Sequence, residues 1–202
     1  ARDGIATLIA TICKVRSCLN IAWFLCARLF YVDGMNTMFA FGAVYASGTF
    51  GMSTGEVIMF AIAMNVAAGI AAASFGWIDD FLGSKKTVVI ALAGLICFGI
   101  PLLLVEPKLW FWIVGLPLGL FMGPAQASSR SLMARLAPAE VRTEMFGLFA
   151  FSGRATAFIG PFVLGTLTWM FDSQRIGMST IVVFLGIGLL ILLWKVREPA
   201  RT

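Results

Sequence analysis

Six stretches of this chain carry no charged residue, and no other feature constrains the fold as much. They cover residues 34–55, 57–78, 87–105, 109–129, 155–171 and 176–194, each 17 to 22 residues long. A helix crosses the hydrocarbon core of a bilayer with about 20 apolar residues. Only helices and closed barrels satisfy their own backbone hydrogen bonds in lipid. The alternating pattern of a barrel strand is absent, and Ala- and Leu-rich runs such as Met64–Ala73 and Leu185–Leu193 suit helix. Composition agrees: 12% of the 202 residues are charged and 60% are hydrophobic, whereas a soluble domain carries roughly 25% charged residues. The sequence therefore predicts an all-α, polytopic membrane protein. Extending the uncharged stretches to their natural ends places six spans near residues 19–45, 56–78, 87–105, 109–129, 144–169 and 177–195. Residues 19–195 form the bundle, preceded by a segment over 1–18 and followed by a tail over 196–202.

The cations are sorted. With the N-terminal tail on the cytoplasmic side, eleven Lys and Arg fall on that side, two on the other (Lys108 and Arg175), and two inside spans (Arg28 and Arg154). By the positive-inside rule, both termini face the cytoplasm or the equivalent side of an organelle. The net charge of +5 then reflects topology, and no nucleic-acid-binding motif accompanies it. In residues 1–18, Ile5, Leu8, Ile9, Ile12 and Val15 recur at helical spacing among Arg2, Lys14 and Arg16. That pattern suits an amphipathic helix at the interface; a short frayed tail is the other reading. The chain opens on Ala1 without Met, which predicts further sequence upstream.

Catalytic chemistry has little to stand on. Histidine is absent, which removes the commonest general base and metal ligand. Cys13, Cys18, Cys26 and Cys97 lack metal-ligand spacing; free cysteines inside spans behave as small hydrophobes. No enzyme activity, metal or cofactor is expected.

Polar groups inside spans are costly, and so they carry the information. Asp33 lies about 14 residues into the first span, roughly 21 Å deep at 1.5 Å per residue. Arg154 lies about 10 residues into the fifth, roughly 15 Å deep. An acid and a base at similar depth predict a pair, or a cavity that hydrates both. Arg28 is shallower and either reaches Asp33 or snorkels outward. Two readings stand for Asp33 and Arg154: a substrate, ion or proton site, or a structural ion pair. Asn36 and Thr37 follow Asp33 on the same face. Gln126 closes the fourth span, and Ser152 accompanies Arg154. These residues either line the same pathway or hydrogen-bond between helices. Gly115, Gly119 and Gly123 repeat every four residues, which predicts close helix approach. Pro101, Pro117, Pro124 and Pro161 should kink their spans.

One loop carries a recognisable pattern. Gly76, Asp80, Gly83 and Lys85, within Gly76-Trp77-Ile78-Asp79-Asp80-Phe81-Leu82-Gly83-Ser84-Lys85-Lys86, match the cytoplasmic loop signature of the major facilitator superfamily, Gly-x-x-x-Asp-x-x-Gly-x-Lys/Arg. Phe81 and Ser84 depart from it, where the family often has basic residues. The segments Tyr31–Thr37, Gly123–Pro138 (with Gln126 and Arg130), Glu144–Leu148 and Ser152–Pro161 extend the match over nearly the whole chain. Together they resemble the C-terminal half of the branch that contains the autophagy-related vacuolar amino-acid effluxers and their bacterial relatives. The resemblance implies half of a twelve-span transporter, built as two inverted three-helix repeats, with substrate near the midplane between halves. It also implies that the first and fourth spans face the central cavity, bringing Asp33, Asn36 and Gln126 toward it. Gly76, Asp80, Gly83, Lys85 and Arg130 then belong to the cytoplasmic gating loop region.

Two functions follow. The first is half of a secondary transporter for a small solute, an amino acid by kinship, working by alternating access with a second six-span half. The second is a non-transporting structural or assembly subunit of a larger membrane complex. The bilayer is a partner in both.

Overall fold

The computed structural model describes the backbone of residues 2–198, and the side chains of residues 19–198 except that of residue 140. The interfacial placement expected for residues 1–18, and the end of the tail from residue 199, lie outside the described residues. Within them the chain is helical throughout, with no strand. The elements are α1 (Arg2–Phe50), α2 (Thr54–Leu82), α3 (Ser84–Leu104), α4 (Lys108–Leu136), α5 (Arg142–Ala155), α6 (Ile159–Phe171) and α7 (Gln174–Lys195). A short 3-10 turn, Ala139–Val141, leads into α5.

The first span lies within α1, and α5 and α6 together form the fifth. Among the described residues, five helical segments are long and apolar enough to cross a membrane: α2, α3, α4, the α5–α6 segment and α7. α1 is outside that group, and its described part carries the polar series Arg28, Asp33, Asn36 and Thr37.

Turn chemistry sets the boundaries. Ser53 caps α2 in a reciprocal capping box with Glu56, satisfying two of the donors that a helix start leaves open. Glu56 also meets Lys108 at 2.6 Å, tying the starts of α2 and α4 together. Gly83, at φ +93°, makes the sharp turn from α2 into α3. That backbone conformation disfavours any side chain.

Helix pairing follows an exchange of two triplets. α1 packs mainly on α7 and less on α5 and α6, whereas α4 packs about equally on α3 and α2. Exchanging α1–α3 with α4–α7 turns the α1–α7 pairing into the α4–α3 pairing, the relation expected of two three-helix repeats. The core is the space between them, filled by Phe24, Tyr31, Leu92, Leu95, Met122 and Leu185, all fully buried.

The glycine ridge on α4 acts as expected. A β-carbon on Gly119 would stand 2.7 Å from the Met64 carbonyl oxygen, and one on Gly123 would overlap that of Ala68. α4 therefore touches the α2 backbone directly. Pro101, Pro117 and Pro124 are accommodated inside α3 and α4, whereas Pro161 stands one turn into α6, just past a full break in the helix.

The outer faces are uneven. α2 and the α5–α6 segment bury little of their apolar length within the bundle, and α4 and α7 bury more. Ile58, Ile62, Val66 and Ile70 stand exposed along α2. These faces are apolar and left open by the described residues.

Candidate functional site: the broken fifth span and the polar face of α1

The break between α5 and α6 has a local cause. Pro161 has no amide hydrogen, and its ring excludes the carbonyl of residue 157 from helical geometry. The backbone turns through Thr156–Phe158 and restarts at Ile159. A break of this kind leaves carbonyl oxygens open at the end of one helix and amides open at the start of the next. The two ends also carry opposite partial charges.

α1 supplies a carboxylate to the start of α6 and a guanidinium to the second half of α5. The Gly160 amide donates to Asp33 Oδ2 at 2.8 Å, at the start of α6. Arg28 Nη1 donates to the Phe149 carbonyl at 2.6 Å and to Ser152 Oγ at 2.7 Å, near the end of α5. The Arg28 guanidinium also lies 3.6 Å from the Phe149 ring centroid, a cation–π contact. Five residues separate Arg28 from Asp33, about 7.5 Å along the helix. Thr156 Oγ1 bonds to the Leu29 carbonyl within that interval at 3.4 Å, and Asn36 Nδ2 meets the Gly153 carbonyl just beyond it at 3.5 Å. An acid at a helix start and a base near a helix end are both the favourable choice. Here both come from one neighbouring helix.

The site is tightly closed around Asp33, which is only 2% exposed. A β-carbon on Gly160 would overlap Thr37 Oγ1 and stand 3.2 Å from Asp33 Oδ2. Asp33 Oδ1 and Thr37 Oγ1 are buried and make no hydrogen bond. Beside them, Tyr31 Oη and Ser129 Oγ are bonded at 2.7 Å, joining α1 to α4.

This geometry corrects one expectation. Asp33 does not pair with Arg154, which is exposed on α5; no salt bridge joins them among the described residues. Equal depth along two helices says nothing about which way each side chain points. The carboxylate takes a backbone amide instead, and the cation that matters is Arg28. Ser152 is buried and bonded to Arg28. Asn36 and Gln126 are exposed, on α1 and α4 respectively. The Gly160–Pro161 pair was the available signal for the break, since a proline inside a span removes a backbone donor and interrupts the helical hydrogen bonding there.

The loop between α2 and α3 forms a second cluster, at the end of the bundle that holds Lys85, Lys86, Arg135, Lys195 and Arg197. Arg135 Nη2 meets Asp79 Oδ2 at 3.4 Å, while Asp80 Oδ1 is 3.9 Å away on a side chain 80% exposed. Asp79, the buried one of the pair, is thus the nearer partner, although the loop pattern singled out Asp80. Arg135 Nη1 also faces Glu198 Oε1 at 3.8 Å. The Glu198 carboxylate accepts the Lys85 amide at the start of α3 at 3.4 Å. It occupies the space where a Gly83 β-carbon would be. Lys85 Nζ donates to the Leu193 carbonyl at 3.3 Å. The cluster therefore ties the ends of α2, α3, α4 and α7 together. Gly76 has open space around it, and Arg130 is exposed on α4.

A cavity of about 120 Å³ opens between α1, α2 and α4, lined by Met38, Phe60, Met64, Asn65, Met122 and others. Asn65 Nδ2 is engaged by the Ala61 carbonyl of its own helix at 2.8 Å, so the cavity wall is largely apolar.

Comparison with known proteins bears on what such a bundle does. A sequence profile described as "Vacuole effluxer Atg22 like" matches residues 2–201. An uncharacterized MFS-type transporter of Bacillus subtilis, YxiO, is 22% identical over 94% of this chain and 44% of its own length. Autophagy-related protein 22 of Cryptococcus neoformans is 28% identical over 86% of this chain and 33% of its own. Autophagy-related protein 22 of Candida glabrata is 24% identical over 73% of this chain and 28% of its own. The chain thus spans between about a quarter and a half of the length of these relatives.

Proposed function

Since the chain belongs to the Atg22-like vacuole effluxer family, of which an MFS-type transporter is a relative, we propose that it is one half of a secondary transporter. It would move a small solute, an amino acid by kinship with the effluxers, by alternating access with a second six-span half. The observation that carries this reading is the broken fifth span clasped by α1. Discontinuous spans with exposed helix ends are a recurring means of placing fixed partial charges at the membrane midplane. The polar series Arg28, Asp33, Asn36 and Thr37 lies on α1, a helix that the resemblance assigns to the central cavity. A transport role gives a reason to retain buried polarity of this cost.

In this reading Asn36 and Gln126, which are exposed, meet the solute, with Ser152 and Arg154 along the same pathway. Asp33 controls the break. The cluster of Asp79, Asp80, Gly83, Lys85, Arg135 and Glu198 holds the cation-rich end shut in one state and parts in the other; Gly76 and Arg130 flank it. The cation-rich end faces the cytoplasm or its organellar equivalent.

The test is transport by the full-length protein in liposomes. Asp33→Asn keeps a hydrogen-bond acceptor for Gly160 but removes the charge, and transport is expected to fall at least tenfold. Unchanged transport would overturn the role of Asp33. Isolation of the chain at fixed stoichiometry in a larger complex, without any six-span partner half, would favour the assembly-subunit reading instead.

A further inference from the structure

The end of the bundle that carries the loop cluster also carries a groove the transport reading does not use. It lies between the start of α3 and the end of α7 and has a volume of about 620 Å³. Its polar lining is Lys85, Lys86, Arg197 and Glu198, and its walls include Leu82, Val89, Ile90 and Leu193. Three cations thus face one carboxylate, and that carboxylate is already committed to the Lys85 amide and Arg135. Lys86 and Arg197 are exposed. The backbone of Arg197 is fixed: its amide donates to Asn20 Oδ1 at 2.7 Å, and its carbonyl accepts from Asn20 Nδ2 at 2.6 Å. One side of the cationic mouth is thus anchored at its backbone.

The groove continues. A second one, wholly apolar in its lining, runs along the end of α2 past Phe75, Trp77, Ile78 and Phe81, and shares Leu82 and Ile90 with the first. Trp77 and Phe81 are 79% and 86% exposed, and Trp194 at the end of α7 is 78% exposed. Aromatic rings in this position mark the level of lipid headgroups. A cationic mouth that opens into an apolar channel at headgroup level matches a molecule with an anionic head and an acyl tail.

We propose that this groove binds an anionic phospholipid, its phosphate between Lys86 and Arg197 and one acyl chain along Leu82, Ile90 and Phe81. A free anion would have no use for the apolar channel. A neutral lipid would leave the excess cations unanswered. The lipid rests against Lys85 and Glu198, so it braces the same end that Arg135 and Asp79 close.

Native mass spectrometry of the full-length protein, exchanged between phosphatidylglycerol and phosphatidylcholine nanodiscs, tests this. The parent protein should retain phosphatidylglycerol preferentially. Each cation near an anionic surface is worth about a factor of five, so Lys86→Gln with Arg197→Gln should cut that preference by roughly 20- to 30-fold. Leu193→Trp, which fills the groove and leaves every cation in place, should weaken retention as well. The proposal is overturned by an unchanged preference in the double variant. It is also overturned if millimolar inorganic phosphate displaces the lipid, which would mark a site for soluble anions, or if Leu193→Trp binds as the parent does.

Discussion

Gly160→Ala tests the clasp between α1 and α6 more sharply than any change to a charged residue. The substitution adds one methyl group, and in an ordinary helix it would stabilise. Here that methyl would overlap Thr37 Oγ1 and lie 3.2 Å from both Asp33 Oδ2 and the Thr37 β-carbon. Either α6 must withdraw from α1, or Asp33 and Thr37 must leave their rotamers. Overpacking of this kind costs about 1–3 kcal/mol. Withdrawal also stretches the 2.8 Å bond from the Gly160 amide to Asp33, and a bond to a charged group contributes about 1.5–3 kcal/mol. The two terms overlap, so about 3 kcal/mol is expected. For a chain of this size that corresponds to a melting temperature roughly 6–12 °C lower, read by thermal unfolding of this chain in detergent. A cycle with Thr37→Ala separates the causes. Removing Oγ1 relieves the overlap, so the double variant should recover about 1–2 kcal/mol of the loss, within the range of coupling between touching residues. If Gly160→Ala melts as the parent does, or the two changes simply add, α6 does not sit against α1 as described.

Three further outcomes follow from the same contacts. Arg28→Met removes the bonds to the Phe149 carbonyl and Ser152 together with the ring contact; it should destabilise by about 2–4 kcal/mol, with only partial rescue by Arg28→Lys, whose single ammonium lacks the planar fork. Equal melting of the Met and Lys variants would refute a guanidinium-specific role. Gly123→Val forces α4 off the Ala68 carbonyl and should abolish recovery of folded protein, while Gly147→Val, where nothing stands within 4 Å, should be recovered normally; equal yields of the two would contradict the α2–α4 contact. Arg135→Gln removes the cation beside buried Asp79 and should lower stability by about 1–3 kcal/mol, whereas exposed Arg142→Gln should leave melting unchanged, as differential scanning fluorimetry can check.

Much of the fold was written in one dimension. Charges as fence posts located the second, third, fifth and sixth apolar stretches to within a few residues of the helices that carry them, while α1 runs unbroken from Arg2 and α4 seven residues past the expected end; water and hydrocarbon impose a length and an apolar requirement that no tertiary contact can waive. Gly115, Gly119 and Gly123 announced a close helix approach, and that approach is made on α2. The polar series on α1 announced a costly polar face. What it paired with was not legible. Asp33 and Arg154 looked like partners by depth alone, yet depth fixes position along a helix and leaves rotation free. The actual partner of Asp33 is a backbone amide, which is the same chemical group at every residue and so leaves no mark in the sequence except the nearby Pro161.

The sequence by itself therefore determined the solvent of this protein, the approximate placing of its apolar stretches and the residues whose burial needs a reason; that the fifth of those stretches is two helices, α5 and α6, only the structure showed. The tertiary structure alone decided the answers to those residues: Arg28 near one end of the broken span, Asp33 at the other, and Asp79 rather than Asp80 beside Arg135. Partition between water and lipid is additive along the chain and can be summed from composition. Hydrogen bonds and helix dipoles act over a few ångströms and in particular directions, so they exist only once the helices have taken their rotations against one another.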